Sequence, residues 1–223
     1  NPLSQTGLKK RIEQALAMRE QFYDAPFYRL VYGEGDFLPG LIIDRYNDVA
    51  VVQINSFGYV PFKEGLVDIL QRLGMETVVL RNDGNSRKQE GLELAANEVF
   101  GDAPETVEIT ENGTRFLVPV LKGQKTGWFY DHRDNRQYVA KLCQGKTVLD
   151  VFSYMGAWGL AALKQGASHL TAVDISGQAL DVLEQNAKLN GFEDQVDCLQ
   201  GNAADGLEAL LAEGKKFDVI VLD

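Results

Sequence analysis

The second half of the chain alternates short apolar runs with stretches of helical period. The apolar runs predict strands at 147–151, 169–174, 195–200 and 217–222. Helices are predicted at about 131–143, 157–165, 177–190 and 203–213, with Asn190-Gly191 as a stop signal after the third. Leu180, Leu183, Ala187 and Asn190 fall on one face of that third helix. Alternation of this kind implies right-handed βαβ units and a parallel sheet. By analogy with Rossmann folds the expected strand order is 3-2-1-4, with 219–222 an apolar edge that favours self-association.

The first half has a different rhythm. Ser4 or Thr6 can cap a helix over about 7–22, with Leu8, Ile12, Ala15, Leu16 and Met18 on its apolar side. Short β-prone runs follow at 28–32, 40–44, 49–54 and 77–80. Pro61 is placed to open a helix that Gly74 ends. Glu111-Asn112-Gly113 between 107–110 and 114–118 signals a hairpin. The expected organisation is an α/β protein in three parts. These are an N-terminal helical linker over 1–27, a small central α+β domain over 28–122, and a Rossmann-like parallel sheet over 123–223. Only four strands fall in that sheet, and the chain opens near a helix and stops in an apolar strand. Both ends therefore read as cut from a longer protein.

Composition narrows the class. The chain has 223 residues, 45% hydrophobic and 24% charged, with no apolar run near the length of a membrane span. Two distant cysteines, Cys143 and Cys198, give neither a disulfide framework nor a zinc spacing, so no metal is expected and a reducing cytoplasm is the simplest compartment. The net charge of −10 gives no basic footprint for nucleic acid.

The chemistry concentrates at strand ends. Val148-Leu149-Asp150-Val151 runs into Phe152-Ser153-Tyr154-Met155-Gly156-Ala157-Trp158-Gly159, and the next strand ends in Asp174-Ile175-Ser176. Ligands of open α/β sheets sit at the carboxyl ends of the strands, where an acid ending the second strand can hold ribose hydroxyls. The loop lacks the first glycine of G-x-G-x-x-G and carries bulky side chains. It suits an adenosine cofactor without phosphates, such as S-adenosylmethionine, better than a dinucleotide. A turn with no ligand is the plainer alternative. Asn202 and Ala203, after the third strand, could meet an adenine edge, or Asn202 could be a helix N-cap. Gly123 to Arg136 packs glycines, aromatics and charges densely: Lys125 and Thr126 could reach a carboxylate, while Arg133 and Arg136 lie a turn apart. A turn followed by a solvated basic helix end is the alternative there. His132 can be functional or a helix-start residue, His169 reads as structural, and both cysteines read as core. Asp223 ends the fourth strand, where a terminal acid often faces substrate.

The run Gly123 to Arg136 followed by Leu149 to Gly156 resembles the large-subunit ribosomal RNA cytosine methyltransferases, which are class I S-adenosylmethionine enzymes. The resemblance implies a PUA RNA-binding domain ahead of this chain and RNA as partner. It implies that Lys125, Thr126, Phe129 and Arg133 line the methionine end of the cofactor. Asp150, Phe152, Ser153, Tyr154 and Gly156 would form its central loop. Asp174 would hold the ribose with Ile175 against the adenine, and Asn202 and Ala203 would meet the adenine edge. Asp223 would begin the D-P-P-x-F substrate motif. Asn202 departs from the Asp usual in the family. The cysteine that attacks carbon 6 of cytosine has no counterpart in 1–223, so this stretch alone is expected to be inactive. An NAD-linked oxidoreductase and a non-catalytic RNA- or protein-binding scaffold remain the competing readings.

Overall fold

The computed structural model describes residues 4–123 and 126–223. Its contacts divide into two units, one of residues 1–109 and 118–131, the other of 110–117 and 132–223.

The first unit is built on a five-stranded sheet in the order β1 (Phe27–Tyr32), β2 (Leu41–Tyr46), β3 (Val49–Ile54), β4 (Thr77–Leu80) and β5 (Glu98–Phe100). Pairing is antiparallel except between β3 and β4. That parallel step needs a crossover, supplied by α2 (Lys63–Arg72). Pro61 sits inside a 3₁₀ turn, Phe57–Phe62, rather than opening the α-helix itself.

The N-terminal helix α1 (Gln5–Phe22) is capped by Ser4, whose side chain accepts from the Gly7 N–H. The expectation of a helical linker over 1–27 needs correction. Leu8 and Ile12 are fully buried and join Leu66, Ile69 and Leu70 of α2 in the core of this unit. Burying each such side chain contributes roughly 1.5–3 kcal/mol, so α1 is a structural member of the sheet's cover. A four-residue α3 (Ser86–Gln89) and the short β5 carry too little periodicity to be read in advance.

The hairpin strands β6 (Val107–Glu111) and β7 (Thr114–Val118) flank the predicted turn, with Asn112 and Gly113 both at positive φ. Beyond it, a 3₁₀ turn at Tyr130–His132 leads into α4 (Arg133–Ala140), shorter than the helix expected over 131–143.

The parallel sheet of the second unit contains β8 (Thr147–Val151), β9 (His169–Asp174), β10 (Val196–Gln200) and β11 (Val219–Leu222), ordered β10-β9-β8-β11. This is the expected 3-2-1-4 arrangement, parallel throughout. The connecting helices are α5 (Ala157–Lys164), α6 (Gly177–Leu189) and α7 (Ala203–Ala212). Alternate residues of β9 serve opposite faces. Val173 packs with Leu210 and Leu207 of α7, while Ala172 packs with Leu180 and Leu183 of α6.

Close approach of α5 to β9 depends on Gly159: a Cβ there would lie 2.4 Å from Leu170. The helix α6 also reaches the hairpin. Asn186 accepts from the Leu117 N–H at 2.7 Å, and Asn190 pairs with both backbone groups of Arg115. Asn190 thus serves the β7 backbone rather than the sheet face assigned to it from spacing.

Candidate cofactor site

The strand order reverses between β8 and β11, so the crevice of this sheet lies outside its carboxyl ends there. Asp150, the loop 152–156, Asp174, Ile175, Asn202, Ala203 and Asp223 all lie at those ends. The sheet therefore gathers nine of the residues expected from sequence, and Asp223 with them.

The β8–α5 loop has an unusual backbone. Phe152 (φ 62°) and Tyr154 (φ 48°) are left-handed, as is Gly156 (φ 79°). Each bulky residue in that region costs about 1–3 kcal/mol and persists only where surroundings hold it. Three contacts do so. The Ser153 N–H donates to the Val173 carbonyl at 3.1 Å, the Tyr154 N–H to Asp174 Oδ2 at 2.8 Å, and the Gly156 N–H to the Ser153 carbonyl at 2.8 Å. Gly156 is obligatory twice over, because a Cβ would also meet Leu183 at 2.6 Å. The loop leaves Phe152 half exposed, and Ile175 is 73% exposed beside Asp174.

Asp174 is half-buried and divides its oxygens: Oδ2 takes the Tyr154 N–H and Oδ1 the Ser176 N–H at 2.8 Å. Each oxygen retains a second lone pair. Asp150 is fully buried, with Oδ2 accepting from the Gly159 N–H at 3.0 Å. Burial pushes its carboxyl up to about 7; the Gly159 bond opposes this, and the charges of Asp223 and Asp174 add to it. Asp150 Oδ1 and the buried Ser153 Oγ have no hydrogen-bond partner among the described residues. Buried polar atoms are nearly always paired, so two orphans three residues apart at the end of β8 and in the loop after it fit a site that completes itself with a polar ligand.

Other expected residues fall elsewhere. Lys125, with Gln124, lies outside the described residues. Thr126 is fully buried in the first unit, where its hydroxyl donates to Asp44 and its carbonyl accepts from the Tyr46 hydroxyl. Phe129 also belongs to the first unit and is half-buried. Arg133 opens α4 in the second unit, with its carbonyl 3.5 Å from Asn112 Nδ2. Arg136, expected a turn from Arg133 on one helix face, is 2% exposed and bonded bidentately to Glu111 at 2.8 and 2.9 Å, which excludes the alternative of a solvated helix end for it.

Asn202 caps α7, its side-chain oxygen accepting from the Asp205 N–H at 2.9 Å. Its amide group donates to the Asp205 carboxylate. Ala203 is the first residue of that helix. His169 pairs with Asp197 across two strands. Both thiols are raised by burial, Cys198 to about 11, so neither is an activated nucleophile.

One grouping escaped the sequence. Trp158 Nε1 donates to Asp223 Oδ2 at 3.0 Å, His132 Nε2 stands 3.9 Å from Asp223 Oδ1, and the His132 and Trp158 rings lie 5.8 Å apart. The advance signals were His132 in a dense motif and Asp223 as a strand-ending acid; nothing in the sequence joined them to Trp158.

A family model described as S-adenosylmethionine-dependent methyltransferase matches residues 87–222. A protein of Shewanella amazonensis named "Ribosomal RNA large subunit methyltransferase I" is 41% identical over 220 residues, covering 96% of this chain and 56% of that protein. One of the same name from Aeromonas salmonicida is 43% identical over 199 residues, covering 88% of this chain and 50% of the relative. The chain thus spans about half the length of these curated relatives. Among solved structures, a Streptococcus mutans chain assigned to the SAM-dependent methyltransferases superposes with a TM-score of 0.86 at 23% identity, covering 99% of this chain and 58% of that one. At that identity the likeness speaks for the fold, an α/β architecture with a parallel sheet. No helix among the described residues is long and apolar enough to cross a membrane. With the family model covering more than half of the chain, and relatives 41% and 43% identical matching 96% and 88% of it, the chain belongs to the S-adenosylmethionine-dependent methyltransferase family.

Proposed function

We propose that this chain forms the cofactor-binding part of an enzyme that methylates large-subunit ribosomal RNA. The observation that carries the reading is the pair of orphaned buried groups, Asp150 Oδ1 and Ser153 Oγ, beside the half-buried carboxylate of Asp174. The two relatives named as large-subunit ribosomal RNA methyltransferases support the substrate class.

In this reading the second unit holds S-adenosylmethionine, which supplies a methyl group on a positively charged sulfur. Asp174 turns its remaining lone pairs to the ribose hydroxyls; charged acceptors make the stronger bonds there. Phe152 and Ile175, both exposed at the strand ends, offer apolar surface to the adenine. Asp150 and Ser153 supply an acceptor and a hydroxyl to the polar end of the cofactor, with Tyr154 and Gly156 shaping the loop. Asn202 and Ala203 stand at the adenine edge. The Asn202 side chain is already engaged in capping, so backbone groups carry more of that contact. The Thr126 hydroxyl is committed to Asp44 and is not counted among the cofactor's partners.

The target, carbon 5 of cytosine, rests on the family resemblance. Such chemistry needs a thiolate, and neither Cys143 nor Cys198 is suited to it.

The test combines calorimetry and product analysis. The full-length enzyme that carries this chain is expected to bind SAH and not NAD, and to methylate large-subunit ribosomal RNA, with digestion and mass spectrometry naming the nucleoside. Binding of NAD in preference to SAH would overturn the reading. A methylated nucleoside other than 5-methylcytidine would keep the enzyme class and replace the target.

A further inference from the structure

The first unit presents an aromatic surface that the cofactor reading does not use. Tyr32 ends β1 at 51% exposure, and Phe37 follows the 3₁₀ turn Gly33–Asp36 at 73%. Each ring has a guanidinium against it. Arg29 Cζ lies 5.2 Å from the centroid of Tyr32, and Arg11 Cζ lies 6.0 Å from that of Phe37. Residues three apart on a regular strand point to opposite faces. A bulge between Arg29 and Val31 shifts the register and brings Arg29 to the Tyr32 side.

The turn between the rings is held from α1. Arg19 Nη2 donates to Asp36 Oδ2 at 2.6 Å, and the same oxygen accepts from the Tyr32 N–H at 2.7 Å. Arg19 Nε donates to the Arg29 carbonyl at 3.0 Å. At the far end Arg11 donates to the Phe37 carbonyl. Phe37 is left-handed at φ 58°, a conformation that costs a bulky residue free energy. Bonds from the Phe37 N–H to the Glu34 carbonyl at 3.0 Å and from the Leu38 N–H to the Gly33 carbonyl at 2.9 Å hold it there. Leu38 joins the core while the Phe37 ring stays outside.

Exposed rings backed by cations are surfaces on which unpaired nucleobases stack. We propose that Tyr32 and Phe37 form a stacking platform for unpaired bases of the RNA substrate, given the ribosomal RNA reading above. Arg29 is committed to Asp44, bidentate at 2.8 and 3.1 Å, so it backs the Tyr32 ring rather than reaching a phosphate. Arg11 forms no ion pair among the described residues and is the cation available to a phosphate beside Phe37. The net charge of −10 leaves no wide basic face, so stacking carries the contact and its salt dependence is shallow. Glu34 and Gly35, both exposed between the rings, interrupt the continuous apolar patch that a protein partner would cover. Separate flat rings suffice for bases.

The test uses the full-length enzyme that carries this chain and a single-stranded oligouridine containing 5-iodouridine. Irradiation, trypsin digestion and mass spectrometry should place a cross-link in Leu30–Arg45, the tryptic peptide that holds both rings. Tyr32→Thr and Phe37→Asn remove the rings but suit a strand and a left-handed turn respectively. Each should weaken oligouridine binding at least about fivefold, the lower end of base stacking on an aromatic, and leave SAH affinity within about twofold. Tyr32→Phe should bind like the parent. Cross-links confined to other peptides, or parental RNA affinity in either ring-removing variant, would overturn the platform. The cross-link is read on the parental enzyme and decides even where a variant fails to fold. An enzyme that cross-links in this peptide but binds no SAH and methylates no RNA would overturn the methyltransferase reading and keep the platform.

Discussion

The Asp174 carboxylate is bonded to the Tyr154 N–H at 2.8 Å, so the acid that ends β9 also braces the loop that leaves β8. The brace holds a residue at φ 48°, where a tyrosine is strained. One side chain therefore braces the loop and, in the proposed cofactor site, would also face the ribose.

Asp174→Ala should consequently fail in two ways. Cofactor affinity should drop by about 1.5–3 kcal/mol, the range for hydrogen bonds to a charged group. The melting temperature should fall as well, because two backbone N–H groups lose their acceptor. Calorimetry showing unchanged affinity would remove Asp174 from the site, whereas an unchanged melt would remove it only from the brace.

Asp150 makes the free protein sensitive to pH. Its ordinary value is 3.8, and the folded value is about 7. Between these values the folded chain binds more protons than the unfolded one, so stability falls as pH rises from about 4 to 7 and levels off above. Asp150→Asn removes that dependence. Relative to the parent, the variant should gain a few kcal/mol on going from pH 5 to pH 8, at about 1.4 kcal/mol for each tenfold change in the protonation equilibrium. Parallel profiles of unfolding free energy against pH for the two proteins would contradict this.

Gly159→Ala should cost about 1–3 kcal/mol, because the added methyl collides with Leu170 at 2.4 Å. Leu170→Ala costs stability alone by leaving a cavity. In the double variant the two changes should be less than additive, since each relieves the other's fault. Denaturant titration of the four proteins measures the coupling; strict additivity would mean that the helix moves away instead.

Arg136→Met should destabilise by about 3–5 kcal/mol, because the buried Glu111 carboxylate loses its bidentate partner. Replacing Glu111 by Leu in the same chain should restore much of the loss, since an apolar pair of similar volume needs no compensation. A double variant no better than the single one would show that the pair fixes the local structure rather than only neutralising itself.

The parallel sheet was legible because its strands are short apolar runs alternating with helical stretches, and its order is the one expected by analogy with Rossmann folds. The strand-end residues Asp150, Asp174 and Asp223 were legible for the same reason. The burial of Arg136 was not, because its partner Glu111 lies 25 positions away and nothing local in the sequence points to it. The bond of Thr126 was hidden by the same distance, since Asp44, 82 positions away, takes its hydroxyl. The dual duty of Asn186 and Asn190 was hidden because side-chain amides that cap a strand edge leave no periodic trace.

The chain enters the second unit at Thr110, leaves it at Leu117 and returns at His132. Neither unit can therefore be excised with one cut. A piece beginning at residue 132 would keep the four-stranded sheet but strip Arg136 of its carboxylate, and it would deprive Asn186 and Asn190 of the Leu117 and Arg115 backbone they hold. Recombination that shuffles this sheet between proteins must carry the hairpin with it, so the heritable module here is longer than the compact body it builds.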